Sequence, residues 1–168
     1  SYPRFPERMA EIGLMDPQPP AVLNAEMVRY SLYSQHLISC IDTLCGCKFV
    51  WGPAWQLYSS NQLVDAVRAI TGWQVSLWEL MKLGERRLNL ARAFNAREGV
   101  GGEADTMPAK MSVPLEGGAS DGVSVTREEF EAGKALYYQM SGWSEDGRPT
   151  RAKLKELGLD WVADELDL

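Results

Sequence analysis

Apolar residues recur at three- and four-residue intervals along most of this chain, and this spacing constrains its fold more than any other feature. Side chains three or four positions apart share one face of an α-helix, whereas a half-buried strand needs strict alternation of apolar and polar residues. No segment alternates for long enough to require a strand. The sequence therefore predicts an all-α fold, built as an irregular multi-helix domain.

Polar residues at three-residue spacing mark where these helices begin. Three pairs have the capping-box sequence, in which two side chains satisfy free amides of the first helical turn: Ser59 with Gln62, Ser76 with Glu79, and Thr126 with Glu129. Glycine tolerates the left-handed conformation that ends many helices, so Gly72 and Gly142 are predicted to end the first and third of these helices. Asn24 is predicted to cap an earlier helix that runs to about Cys45.

The helix that follows Ser76 is predicted to be long and central, and to reach about Gly99. A second apolar stripe on this helix holds Leu83, Leu90 and Phe94, so we expect the helix to be buried on two sides. Residues 99–125 are rich in glycine and are predicted to form a long irregular crossing. Two short helices are predicted to finish the chain: Thr150 to Leu157, and Asp160 to Leu166.

The first 23 residues differ from the rest in their proline content. Five prolines fall within this stretch, and proline removes a backbone donor and disfavours helix in the residue before it. Residues 1–23 are therefore predicted to be an extended lead-in. The whole chain has 168 residues and is 45% hydrophobic, which is enough for one substantial core. Residues 24–168 are accordingly predicted to form a single helical domain.

Charge and cysteine usage exclude several classes of function. The net charge of −6 argues against a nucleic-acid partner, which would need a basic face. No apolar run approaches the roughly 18 residues of a membrane-spanning helix, and no segment resembles a signal peptide. The three cysteines, Cys40, Cys45 and Cys47, are an odd and clustered set that suits a reducing compartment better than a disulfide framework. We therefore expect a cytoplasmic protein.

One stretch, residues 39–49, concentrates reactive side chains at a predicted helix end. It holds the carboxylate of Asp42 and the three thiols, with Gly46 between Cys45 and Cys47. The single histidine of the chain excludes a histidine-rich metal site. These cysteines could simply be small apolar side chains at a buried helix end. They could also bind metal, but an iron–sulfur cubane commonly takes four thiolates. A metal site here would need ligands from elsewhere.

A succession of short motifs runs through the chain from about residue 25 to about residue 165. In order they are Thr71-Gly72-Trp73, Gly84-Glu85-Arg86, Asn89-Leu90 with Arg92, Phe94-Asn95 with Arg97-Glu98-Gly99, Asp105-Thr106-Met107-Pro108, and Tyr137-Tyr138 through Gly142-Trp143. This ordered set resembles the tungsten-containing aldehyde:ferredoxin oxidoreductase family. The resemblance implies that residues 24–168 correspond to the C-terminal helical domain of that family.

The resemblance also implies roles for two residues of the 39–49 stretch. The family has a late D-x-x-G-L-C segment, whose aspartate contacts a pterin and whose cysteine is the last ligand of a 4Fe-4S cluster. Asp42 and Cys47 fall on these two positions. Cys45-Gly46 stands where the family usually has Gly-Leu, so Cys45 is an alternative to Cys47 as the cluster ligand.

The activity implied by the resemblance is oxidation of an aldehyde to a carboxylic acid, with ferredoxin as electron acceptor. The complete enzyme would contain the 4Fe-4S cluster and a tungsten-bis-pterin cofactor. The C-x-x-C-x3-C run of the family is missing here. We therefore expect the isolated chain to be inactive, to bind neither cofactor stably, and to need the remaining N-terminal part of the enzyme as its partner. Self-association through an exposed apolar face at Phe49-Val50-Trp51 is a further expectation.

Two other functions are compatible with the sequence. The first is a non-catalytic helical interaction or scaffold module that kept the fold and lost the cofactors. The second is a relative in the same family that acts on another substrate, such as an aromatic acyl thioester. Most residues that would face a substrate lie outside this chain in the family pattern, so the sequence does not choose between substrates.

Overall fold

The computed structural model describes residues 6–16, 18–51 and 57–166. Eight α-helices lie within these ranges: α1 (Pro6–Ala10), α2 (Ala25–Thr43), α3 (Lys48–Trp51), α4 (Ser60–Thr71), α5 (Leu77–Arg97), α6 (Arg127–Ser141), α7 (Arg151–Glu156) and α8 (Asp160–Glu165). The only β-type pairing in these ranges is an isolated bridge between Trp143 and Pro149. No helix of the described residues is long and apolar enough to cross a membrane. The all-α prediction is confirmed.

The capping residues start and end the helices as the sequence predicts. The Ser59 side chain accepts a hydrogen bond from the Gln62 amide at 3.3 Å, and the Gln62 side chain accepts one from the Ser59 amide at 2.8 Å. The same reciprocal pattern is found in the other two pairs, Ser76 with Glu79 and Thr126 with Glu129. Gly72 and Gly142 are left-handed, with φ of 74° and 70°. Local polar sequence therefore sets these helix boundaries.

The chain divides into two compact units, each with its own apolar core. The first unit comprises the described residues within 1–17 and 30–91, and the second comprises those within 18–29 and 92–168. The core of the first unit includes Leu37, Cys40, Ile41, Leu63, Val67 and Leu80. The core of the second includes Ala93, Leu154, Leu157, Leu159, Val162 and Ala163. The sequence predicted one core because periodicity shows which face of a helix is apolar, but not which element that face meets.

The prediction of an extended lead-in is wrong for the stretch that begins at Pro6. Pro6–Ala10 form α1, and Met9 within it is fully buried, together with Ile12 and Leu14 just beyond. Proline is tolerated in the first turn of a helix, where its missing N–H would have no partner, so Pro6 begins α1 without penalty. Residues 1–5 and 17 lie outside the described residues. The lead-in thus contributes side chains to the core of the first unit.

The prediction that α5 is buried on two sides is also wrong. Leu83 is half-buried against the first core, but Leu90 is 40% exposed and Phe94 is 56% exposed. Leu80 is buried one helical turn before Gly84. The buried stripe of α5 in the first unit therefore runs through Leu80 and Gly84, and Leu90 and Phe94 remain open to solvent.

A close approach between α2 and α5 explains Gly84. A Cβ atom at this position would lie 1.8 Å from the His36 carbonyl oxygen and 2.8 Å from the Cys40 amide nitrogen, both backbone atoms of α2. Backbone atoms cannot move aside as the end of a flexible side chain can. Glycine at position 84 is therefore required for α5 to pack against the second half of α2, just before the segment that carries Asp42.

Candidate cofactor site at the end of helix α2

The backbone after α2 turns back on itself through two hydrogen bonds. The Cys45 amide donates to the Asp42 carbonyl at 3.1 Å, and the Gly46 amide donates to the Ile41 carbonyl at 2.8 Å. This is the Schellman arrangement that ends many helices, and its left-handed residue is usually glycine. Here that residue is Cys45, with φ of 55°, the only non-glycine residue with positive φ among the described residues.

Gly46 is needed for a different reason, which is lack of space. A Cβ atom there would lie 3.0 Å from Cγ2 of Ile41 and 3.4 Å from Cδ1 of Trp51. The contact with Ile41 is tighter than an ordinary van der Waals distance, and the contact with Trp51 is at its lower limit. The family usually has Gly-Leu at these two positions. This chain instead has a cysteine at the left-handed position, 45, and a glycine at the crowded position, 46.

The three cysteines have different environments. Cys40 lies fully buried in the first core, and this burial raises the pKa of its thiol to about 12. Cys45 and Cys47 are exposed, and all three are free of disulfides. A buried neutral thiol behaves as a small apolar side chain, whereas metal ligation needs a thiolate that the metal can reach. Cys40 is thus a core residue, and Cys45 and Cys47 are the accessible sulfurs of this segment.

Two cations flank the Asp42 carboxylate. Oδ1 lies 3.1 Å from Nζ of Lys48, and Oδ2 lies 3.5 Å from Nη1 of Arg87. The same Arg87 nitrogen donates a hydrogen bond to Oγ of Ser39 at 3.3 Å. The Asp42 side chain is 26% exposed, and ion pairs of this kind contribute at most about 1 kcal/mol. They orient the carboxylate, and they leave lone pairs on both oxygens for further donors.

The segment presents the half-buried carboxylate of Asp42 and the two exposed thiols of Cys45 and Cys47. Among the described residues, no group of three or more His, Cys, Asp or Glu side chains is arranged to hold a metal ion. Cys47 follows the turn and directly precedes α3, and its carbonyl accepts hydrogen bonds from the Val50 and Trp51 amides, both at 3.0 Å. Its backbone is therefore fixed while its side chain is exposed.

The apolar face predicted at α3 is narrower than expected. Phe49 is 91% exposed, but Val50 and Trp51 are half-buried, and the Trp51 ring stacks on Tyr58 at a centroid distance of 4.8 Å. Among the described residues of α3, the exposed apolar surface beside Cys47 is thus mainly the Phe49 ring.

Sequence reasoning missed Arg87 and Ser39 as neighbours of Asp42. Ser39 lies three residues before Asp42 and so shares its helix face, a signal that local spacing did contain. Arg87 lies on α5, and only the packing of α5 on α2 brings it to Asp42. A single sequence gives no signal for that contact.

A second polar cluster, in the second unit, gathers residues from several of the family-like motifs. The guanidinium of Arg92 donates to the two carboxylate oxygens of Asp105 at 3.1 and 2.6 Å, and to the Gly147 carbonyl at 2.6 Å. The Tyr138 hydroxyl also donates to Asp105. The Arg92 guanidinium carbon lies 4.9 Å from the centre of the Trp143 ring. This cluster joins α5, the irregular crossing and the loop after α6.

The protonation states in this cluster follow from its contacts. Burial raises the pKa of Asp105, but hydrogen bonds from Arg92 and Tyr138 and the positive charge of Arg92 outweigh it, and the pKa lies below its usual value. Burial and the hydrogen bond to Asp105 raise the pKa of Tyr138 to about 12. Asp105 is therefore ionised and Tyr138 protonated at neutral pH. Because Arg92, Asp105 and Tyr138 satisfy one another's hydrogen bonds, the arrangement suits structural stabilisation rather than catalysis.

The family model described as "Aldehyde ferredoxin oxidoreductase, domains 2 & 3" matches residues 1–159. The chain therefore belongs to the aldehyde ferredoxin oxidoreductase family, and it is similar to tungsten-containing aldehyde ferredoxin oxidoreductases of three Pyrococcus species. It is 32% identical to those of Pyrococcus horikoshii and Pyrococcus abyssi and 28% identical to that of Pyrococcus furiosus, over 161 residues in each case. Each match covers 95% of this chain and 25% of the relative, so the chain spans about a quarter of their length.

A solved structure shares the fold. The chain superimposes on part of the active-site complex BamBC of benzoyl coenzyme A reductase in complex with 1,5-dienoyl-CoA, with a TM-score of 0.72. The match covers 98% of this chain and 27% of that chain, at 23% sequence identity. At this identity the likeness establishes the fold alone.

Proposed function

We propose that this chain is the part of a tungsten-pterin oxidoreductase that supplies Cys47 as one ligand of a 4Fe-4S cluster and Asp42 as a pterin acceptor. The complete enzyme would oxidise aldehydes to carboxylic acids and pass two electrons to ferredoxin. One observation carries the proposal: a single hydrogen-bonded turn presents an accessible carboxylate at Asp42 and an accessible thiol at Cys47, while Cys40 is buried.

Asp42 suits the pterin role by its chemistry and its surroundings. A pterin edge presents adjacent N–H donors, which the two oxygens of one carboxylate can accept together. Lys48 and Arg87 approach one oxygen each and so hold the carboxylate plane while lone pairs remain free. Arg87 is itself held by Ser39, so the orientation of Asp42 is coupled to the packing of α5 on α2.

Cys47 suits the role of a shared cluster ligand because its thiol is exposed on a fixed backbone. It supplies one of the four thiolates that a 4Fe-4S cluster commonly takes, and the other three would come from the remaining part of the enzyme. Cys45 is the alternative ligand because it is also exposed, whereas Cys40 is excluded by its burial. The bound cofactors would supply the redox chemistry, and Asp42 and Cys47 would fix their positions relative to each other.

The partner in this proposal is the remaining N-terminal part of the enzyme. The chain spans about a quarter of the length of its curated relatives, and the Phe49 ring is exposed only two residues from Cys47. A surface next to a shared ligand must meet the part that supplies the other ligands. By itself the chain would be inactive and would hold neither cluster nor tungsten, and it would self-associate through Phe49. We propose a cytoplasmic location because all three thiols are free.

An aromatic acyl thioester is the alternative substrate. It rests on the structural likeness to a benzoyl coenzyme A reductase complex, whose identity to this chain is 23%, against 32% for two aldehyde enzymes. The aldehyde substrate is therefore the better supported of the two. The scaffold alternative rests on the unusual Cys45-Gly46 turn, and it predicts that neither Asp42 nor Cys47 affects any cofactor.

The test compares Asp42→Asn with a matched control in the complete enzyme. Asp42→Asn replaces a charged acceptor with an amide that both donates and accepts. A hydrogen bond to a charged group is worth about 1.5–3 kcal/mol, so pterin retention should fall about ten- to hundredfold while iron content is unchanged. Asp65→Asn, at an exposed position on α4, should change neither. Unaltered pterin content in the Asp42 variant, measured after oxidative release, would contradict the pterin role.

A further inference from the structure

Cys45 occupies a backbone conformation for which cysteine is poorly suited. Its φ of 55° is one that glycine adopts freely and that a Cβ atom disfavours. Disfavoured backbone conformations persist where the surrounding structure holds them, and they are concentrated at functional sites. Cys45 is not one of the residues of the first core, and its side chain is exposed. Its nearest thiol in sequence, Cys47, is exposed as well and is separated from it only by Gly46.

We propose that Cys45 and Cys47 are a redox-active dithiol that closes to an intrachain disulfide when no cluster is bound. The oxidant would be a small disulfide of the glutathione type. The proposal assigns a use to the sulfur of Cys45, which the proposed function leaves without one. Its chemistry does not depend on the proposed function.

The spacing and the backbone allow the two sulfurs to meet. Two residues with one residue between them have Cα atoms roughly 5–7 Å apart, and disulfides bridge Cα separations of about 4.4–6.8 Å. The Cys45 amide donates to the Asp42 carbonyl and the Val50 amide donates to the Cys47 carbonyl, so the backbone is held at both residues. Gly46 adds no side chain between them. A disulfide in so short a loop is strained and therefore easily reduced again.

The reaction balances as two thiol–disulfide exchanges. In the first, the thiolate of one cysteine attacks the small disulfide, which forms a mixed disulfide and releases one small thiol. In the second, the other cysteine attacks the mixed disulfide, which forms the Cys45–Cys47 bond and releases the second small thiol. The protein loses two electrons and two protons, and the oxidant is reduced to two thiols. The second step is favoured because the attacking thiol is held next to the mixed disulfide at high effective concentration.

Closure would protect the sulfur that the proposed function assigns to the cluster. An exposed thiol without its metal is open to irreversible oxidation, and a disulfide caps it reversibly. Cys40 would take no part, because it is fully buried and burial raises the pKa of its thiol. Cys40 therefore serves as an internal control, a thiol that should not react.

The experiment uses the cluster-free protein in mixtures of oxidised and reduced glutathione, followed by an acid quench, unfolding and alkylation. Cleavage after Arg29 and Lys48 places all three cysteines in one peptide, residues 30–48, and fragmentation of that peptide by mass spectrometry locates each thiol. We expect Cys45 and Cys47 to be linked and Cys40 to be alkylated. The linked form should exceed either mixed disulfide by about tenfold, because closure is intramolecular.

Variants that keep only one of the two exposed thiols provide the controls. Cys45→Ser and Cys47→Ser should each accumulate one glutathione adduct and no internal bond, and circular dichroism should show that each retains its helices. If either variant does not fold, Cys45→Gly, which suits the left-handed turn, supplies the single-thiol measurement. Stable adducts on both cysteines of the unmodified chain would overturn the proposal, as would disulfide-linked dimers or persistent free thiols. Since the assay involves no cluster or pterin, its outcome is independent of the Asp42 and Cys47 cofactor roles.

Discussion

At the scale of single residues, the turn after α2 has two structural requirements, and they fall on two neighbouring positions. Position 45 needs a left-handed backbone, and position 46 needs the absence of a side chain, since a Cβ atom there would lie 3.0 Å from Cγ2 of Ile41. The chain satisfies the second requirement with Gly46 and leaves the first to Cys45. The conformational cost of the turn is therefore concentrated at Cys45.

Replacing Cys45 by glycine should stabilise the protein. The left-handed conformation costs a residue with a Cβ atom about 1–2 kcal/mol, and the greater freedom of glycine in the unfolded chain offsets part of this gain. We expect the free energy of unfolding to rise by about 0.5–1 kcal/mol. Cys45→Ala, which removes the sulfur and keeps the strain, is the control. Equal urea midpoints for the two variants would show that the turn is not strained.

Arg92 is the residue whose loss should destabilise the second unit most. Its removal leaves Asp105 without its bidentate partner and the Gly147 carbonyl without its donor. Breaking a largely buried ion pair from one side costs about 3 kcal/mol, so Arg92→Ala should lower the free energy of unfolding by about that amount. Arg97→Ala, which removes an exposed arginine from the same helix, should cost less than about 1 kcal/mol. Similar losses in the two variants would contradict the assigned role of Arg92.

The same cluster should make the free energy of unfolding depend on pH. The pKa of Asp105 is lower in the folded protein than in the unfolded chain, so its stabilisation is complete above the unfolded value. It is lost as the pH falls through the folded pKa, where Asp105 becomes protonated in both states. We expect the free energy of unfolding to fall between neutral pH and about pH 2, and Asp105→Asn to fall less steeply. Parallel pH profiles for the two proteins would contradict this account.

Arg87 and Asp42 show why the candidate site was only partly predictable. Asp42 and Cys47 were identified through a local motif that the sequence retains, but Arg87 reaches Asp42 only after α5 packs on α2. Several of the residues that made the family recognisable, among them Arg92, Asp105 and Tyr138, contact one another in the second unit. The motifs that hold these three residues therefore reflect packing within the second unit, and they do not indicate where the candidate cofactor site lies.

At the scale of elements, polar caps and glycines were reliable because they act within one helical turn. They fixed the starts of α4, α5 and α6 and the ends of α4 and α6. α1 was missed because the prolines of residues 1–23 suggested an extended chain, and the four-residue α3 is too short to show a periodicity. The exposure of Leu90 and Phe94 on α5 was missed because an apolar stripe does not reveal whether a partner covers it.

The contact between α2 and α5 makes Gly84 the most sensitive helical glycine. Gly84→Ala would place a Cβ atom 1.8 Å from the His36 carbonyl oxygen, so the two helices must separate. We expect a loss of about 3 kcal/mol or more in the free energy of unfolding, at the upper end of overpacking effects. Gly133→Ala on α6 is the matched control, because its Cβ would meet only the flexible side chain of Leu23 at 3.1 Å. Equal losses in the two variants would contradict the close packing at Gly84.

At the scale of the whole molecule, the chain belongs to the aldehyde ferredoxin oxidoreductase family and spans about a quarter of the length of its curated relatives. Its described residues form two compact units, and the candidate cofactor residues lie in the first. The recognisable motifs predicted the family correctly, and the apolar periodicity predicted the all-α class. They could not predict the two cores, because core membership depends on contacts between elements far apart in sequence.

The central claim is that Cys47 is the cluster ligand contributed by this chain, and the most direct test is the spectrum of the reduced cluster in the complete enzyme. Electron paramagnetic resonance and iron content should be measured for Cys47→Ser and, as a matched control two residues away, Cys45→Ser. An alkoxide or water is a poorer ligand for iron–sulfur clusters than a thiolate, so Cys47→Ser should alter the signal or lower the iron content. Cys45→Ser should leave both unchanged. A lost cluster in Cys45→Ser and an intact one in Cys47→Ser would assign the ligand to Cys45, and intact clusters in both would contradict the account.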